Sequence, residues 1–151
     1  MKMHRPGSTE EYIIKQDRES ENPTTFILRG LTWKELDDVN RDSPMSVGDA
    51  LIIHGLIHKA KEEDRELNND EQHQIRGISP LDAETMRKVN QQHAKACGFG
   101  LVEVGDILDE KGEKFTLKLD EFIKSAPIIV IRELGAKIIN MSRYSEDAVK
   151  N

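Results

Sequence analysis

The chain has 151 residues, of which 36% are hydrophobic and 33% charged, with only four Phe, two Tyr and one Trp; that suits one ordinary domain with a small core. A formal net charge of −6 provides no basic footprint for neutralising phosphates and so disfavours nucleic acid as a partner. No apolar run approaches the roughly 20 residues that span a bilayer, and the single cysteine, Cys97, leaves no internal disulfide and no second thiol for a structural metal.

In chain order, residues 1–22 are almost wholly polar, and "MKMHRPGSTEEY" lacks the apolar centre of a signal peptide, so a cytosolic chain is expected. Burial from such a composition does not offset the entropy of ordering, which predicts a disordered arm. Its one apolar cluster, Tyr12-Ile13-Ile14, is the part able to dock on a partner. "TTFILR", Thr24 to Arg29, is rich in β-formers and bounded by Pro23 and Gly30, which predicts a strand. Thr32 with Glu35 three residues on has the form of a capping box. It predicts a helix from about Trp33 to Arg41, with Trp33 and Leu36 facing inward.

Ser46 and Asp49 repeat that start signal, and Val47, Ala50, Leu51, Ile53, Ile57 and Ala60 then recur at helical spacing. The following "KAKEEDRELNNDEQHQ" reads as a frayed end and a solvated loop. A third helix is predicted from the Ser79-Pro80-Leu81-Asp82 start signal to about Ala96, stopped by Gly98 and Gly100. Beyond it, "LVEVGDILDEKGEKFTLKL" predicts a hairpin turning at Glu110 to Glu113, and Leu119 to Lys124 a single helical turn.

The four β-branched residues Ile128 to Ile131 favour a strand by themselves, but Pro127 suits a first helical turn. Ile128, Ile131, Leu134, Ile138 and Ile139 fall on one helical face. A C-terminal apolar helix near 127–141 is therefore predicted. Ile129 then lies among the polar residues and Val130 at the margin, so these two are either covered by another element or part of a partner-binding face. The expected fold is α+β, mainly helical: a small strand plus a hairpin packed with about four helices, as one domain over residues 23–151 behind the arm 1–22.

Residues that carry chemistry are sparse. His54, His58 and Glu62 stand four apart and present two imidazoles and a carboxylate on one face, but Gly55 occupies the place where a zinc-protease helix needs its glutamate. Cys97 with His93 one turn earlier lacks an oxyanion site and reads as a buried thiol. "GFGLVEVG" resembles a phosphate loop only in its glycines, and acidic runs such as Glu62-Glu63-Asp64 read as solvated faces. A non-enzymatic protein-binding role is expected, with no cofactor and no metal.

Three segments, "FILRGLTWKELDDV", "VGDILDEKGEKFT" and "IRELGAKIINMSRYSEDAVKN", together resemble the tail assembly chaperones of long-tailed bacteriophages. In those small acidic proteins an early strand with a Phe-x-Leu-Arg-x-Leu-Thr pattern leads into a helix. The resemblance implies a factor in the host cytoplasm that binds the aggregation-prone tape measure protein, helps tail tube subunits polymerise around it and leaves the finished particle. On that reading the client meets Ile129 and Val130, joined by Tyr144 and Val149, and is released as tube subunits compete. A structural tail or neck component of the particle, a host-directed inhibitor, and a small metal-dependent enzyme using His54 and His58 are the alternatives.

Overall fold

A computed structural model describes residues 7–79 and 82–142. The fold is α+β and mainly helical, as expected, and the chain gathers into two compact units. One comprises residues 7–41 and 90–142 and the other residues 42–89, among those described.

The first unit is built on a three-stranded antiparallel sheet, β1 (Thr9–Tyr12), β2 (Phe26–Arg29) and β3 (Leu101–Val104), with β2 central. β1 corrects the expectation of a disordered arm: Thr9 pairs with Arg29 and Tyr12 with Phe26. A 3-10 turn, Lys15–Asp17, follows, and Ile14 is buried in the core. Backbone pairing orders this segment although its side chains are polar. The alternation in "FILR" is real, since Phe26 and Leu28 are buried while Ile27 and Arg29 are half-buried.

Helix α1 (Trp33–Arg41) starts at the predicted capping box. The Glu35 amide donates to Thr32 Oγ1 at 3.3 Å, and the Thr32 amide donates to Glu35 Oε1 at 3.0 Å. Arg29 grips the same carboxylate in a fork, Nη1 to Oε1 at 2.9 Å and Nη2 to Oε2 at 2.8 Å, and this holds the Glu35 carboxyl down to about 2. Trp33 corrects a second expectation, being 75% exposed. Leu36 packs against the core as expected, but the buried residue is Val39, and six residues earlier on a helix is about 120° round.

The rest of the first unit is α4 (Ala83–Gly100, from Asn90 on), a short hairpin of β4 (Ile107–Leu108) and β5 (Lys114–Phe115), α5 (Leu119–Ser125) and α6 (Ile128–Ser142). Asp82 Oδ1 accepts from the Thr85 amide at 2.7 Å at the start of α4; Pro80 and Leu81 of the predicted start signal lie outside the described residues. Gly98 and Gly100 do not stop the helix early. The hairpin turns at Gly112, whose φ of +78° suits a residue without Cβ, but it takes up only the second half of the predicted region. Its first half, Leu101–Val104, pairs with β2 instead.

The core joins Phe26, Leu28 and Val39 to Cys97, Leu101 and the inner side of α6. Phe26 and Phe122 meet at a centroid distance of 5.5 Å. α4 and α6 approach so closely at Gly135 that a Cβ there would sit 2.8 Å from the Cα and carbonyl oxygen of His93.

The second unit contains α2 (Val47–Glu62) and α3 (Asn69–Ile78). Ser46 caps α2, accepting from the Asp49 amide at 3.1 Å. α3 replaces the expected loop. Asn68 Oδ1 accepts from the Glu71 amide at 2.8 Å, and the Asn68 amide donates to Glu71 Oε1 at 3.1 Å, so a full capping box starts a helix that has few apolar residues.

Candidate protein-binding surfaces

Sequence periodicity identifies α6 as a helix and four of the five residues of its inner stripe, Ile131, Leu134, Ile138 and Ile139, are buried. Val130, Ile131, Leu134, Gly135, Ile138 and Ile139 are buried, so Val130, at 6% exposure, is a core residue and not a docking residue. Ile128, assigned to the inner face, is exposed, because it sits in the first turn. Ile129 remains outside at 65% exposure. Tyr144 and Val149, the other expected contacts, lie outside the described residues.

The outer side of α6 forms one wall of a groove of about 600 Å³, which also reaches Tyr12, Lys15 and His93. The Tyr12 hydroxyl donates to Glu133 Oε1 at 3.2 Å, and the Lys15 amide donates to the same oxygen at 2.9 Å. Burial and then the neighbouring Glu133 charge raise the Tyr12 hydroxyl above its ordinary value, so it stays protonated and keeps donating. Lys137 Nζ lies 5.7 Å from the Tyr12 ring centroid and 3.0 Å from Glu10. These contacts fix β1 against α6.

A second apolar surface lies on α2. Ala60 is its buried residue, with Ile53 and Leu56 half-buried. Leu51 is 66%, Ile52 44% and Ile57 42% exposed. Nine residues from Ala60 places Leu51 on the opposite side of the helix, so exposed aliphatic residues of α2 reach round to the side that carries His58 and Glu62. Exposed aliphatic residues gathered on one helix are normally covered. Leu51 and Ile57 belong to the set that recurs at helical spacing in the sequence, and Ile52 does not.

The metal candidates stay apart from any cluster. His58 Nε2 lies 3.1 Å from Glu62 Oε1 on the solvent side of α2, and among the described residues no group of three or more His, Cys, Asp or Glu is placed to hold a metal ion. Cys97 is buried, and burial pushes its thiol up to about 12. It donates to the Ile131 carbonyl at 3.5 Å, which makes it a packing residue between α4 and α6. No helix among the described residues is long and apolar enough to cross a membrane.

The motif residues that carry the family resemblance serve the fold. Phe26, Leu28 and Leu31 are core, and Arg29 anchors the α1 cap. No protein-family model, curated protein or solved structure matches the chain.

Proposed function

We propose that the chain is a non-enzymatic holding factor for bacteriophage tail assembly, which binds the tape measure protein in the host cytoplasm and yields it to polymerising tube subunits. The observation that carries this reading is α2, with Leu51, Ile52 and Ile57 exposed on a chain that is one-third charged. Exposed aliphatic residues capture apolar faces of a client, while the acidic balance keeps the complex dispersed. The resemblance of "FILRGLTWKELDDV" and the C-terminal segment supplies the identity of the client.

The test is co-expression with the tape measure protein of the same genome, followed by affinity capture and a solubility assay. Capture with rescued solubility is expected, reduced at least fivefold by a Leu51→Ser, Ile57→Ser double variant. Recovery of the chain at fixed copy number in purified particles, without capture, would make it a structural tail or neck component instead. Capture of a host protein alone would favour the host-directed inhibitor.

A further inference from the structure

The groove beside α6 belongs wholly to the first unit, and its α6 wall follows a helical rule. Ile129, Arg132, Glu133, Ala136, Lys137 and Asn140 line it at positions i, i+3, i+4, i+7, i+8 and i+11, with the buried Val130 at its edge. On a helix that spacing is one continuous stripe, about 16 Å long. Ala136, at its middle, lets another backbone come close, since the approach of two helices depends on the side chains at their contact. Partner helices are read by stripes of this kind.

Charge sets the chemistry of the occupant. Lys15, Arg132 and Lys137 line the groove against one carboxylate, Glu133, on a chain whose formal charge is −6. Glu133 is engaged by the Tyr12 hydroxyl and the Lys15 amide. Lys137 shares its charge with Glu10 at 3.0 Å. Arg132 donates through Nε to Asn90 Oδ1 at 2.7 Å, a neutral partner.

We propose that this groove docks an amphipathic helix of the client, with aliphatic residues against Ile129, Ala136 and the Tyr12 ring and carboxylates against Lys15, Arg132 and Lys137. The proposal rests on the holding-factor reading for the class of partner and adds a site separate from α2. Carboxylates on the incoming helix speed its encounter and set its orientation, and the aliphatic stripe supplies the area.

The probe is a fluorescein-labelled 18-residue synthetic helix with leucines along one face flanked by glutamates, beside a twin with lysine at every glutamate. Fluorescence anisotropy with the full chain should show saturable binding of the acidic helix and at least tenfold weaker binding of its twin. Lys15→Glu and Ile129→Ser, both at exposed side chains, should each weaken the acidic helix at least fivefold with an unchanged thermal melt. Equal binding of the two helices, binding of neither, or indifference to both substitutions overturns the proposal. Deleting residues 143–151 tests the chain's own end as the occupant: tenfold tighter probe binding, reversed by the free nonapeptide, would also overturn it. Tape measure capture separates the two readings. Capture that persists in Lys15→Glu while the acidic probe fails removes the groove alone, and probe binding without capture removes the holding function alone.

Discussion

The two units obtain their order in opposite ways. In the first, side chains far apart in sequence, from Ile14 to Ile139, share one aliphatic core. In the second, the buried hydrophobic residue among those described is Ala60, and local polar contacts are prominent. Arg65 binds Glu71 Oε1 at 2.6 Å and also reaches Glu63, and the Asn68 capping box starts α3. A small apolar content can close one core, and apolar residues left outside it, on α2, are then available to a partner. Caps and exposed ion pairs contribute little each, so the second unit is expected to open locally well before the first.

The largest test of that difference is Leu134→Ala in the first unit. Leu134 is fully buried, and the loss of transfer energy together with the cavity should cost about 3 kcal/mol. That lowers the melting temperature by about 10 °C, as calorimetry would show; a change below 2 °C would mean that the core is not closed as described. Next is Glu35→Gln. The Arg29 fork depresses the Glu35 carboxyl from its ordinary 4.5 to about 2, so its contribution is fully present above pH 4.5 and is lost as the pH falls toward 2. Both partners are partly exposed, 27% and 19% at the side chains, which limits the effect to about 1–2 kcal/mol at neutral pH. Chemical denaturation of the two proteins should converge across that acid window, and parallel curves would contradict the ion-pair assignment.

Smaller and confined to the second unit is Asn68→Ala, which removes one side of the α3 capping box and should cost about 1 kcal/mol. Amides of α3 should then exchange about fivefold faster while those of β2 keep their protection; equal acceleration in both would show that the units unfold together.

What the sequence made legible follows the range of the interactions involved. The cap of α1 joins Thr32 to Glu35, three residues apart, and is read directly. Asn68 and Glu71 have the same spacing, so α3 was readable too, but its surroundings of charge hid the signal. The helical nature of α6 is likewise local. The width of its buried arc is not, because α4 packs against it, with His93 against Gly135, so that Val130 at the margin also goes in, while Ile128, on the same face, is left exposed at the helix start. β1 was invisible for a related reason: Thr9-Glu10-Glu11-Tyr12 has no apolar alternation, and its order comes from backbone pairing to β2. Of the docking surfaces, Ile129 was visible as an apolar residue in a polar arc. The exposure of Leu51 and Ile57 was not legible, because hydrophobic spacing does not say which apolar residues are covered.

The smallest effect on stability should come from the substitution that matters most to the proposed role. Leu51 and Ile57 are 66% and 42% exposed, so replacing both with Ser removes little buried area, and exposed substitutions away from caps and ion pairs stay within about 0.5 kcal/mol each. Serine also lowers helix propensity relative to leucine by a few tenths of a kcal/mol, which sets the expected cost at less than about 1 kcal/mol for the pair. Client capture should nevertheless fall at least fivefold, since desolvating aliphatic side chains is what these exposed residues of α2 offer. A melt lowered as far as that of Leu134→Ala would show that these residues are internal to the fold. The contrast between a core that folds the first unit and an apolar face presented by the second would then fail.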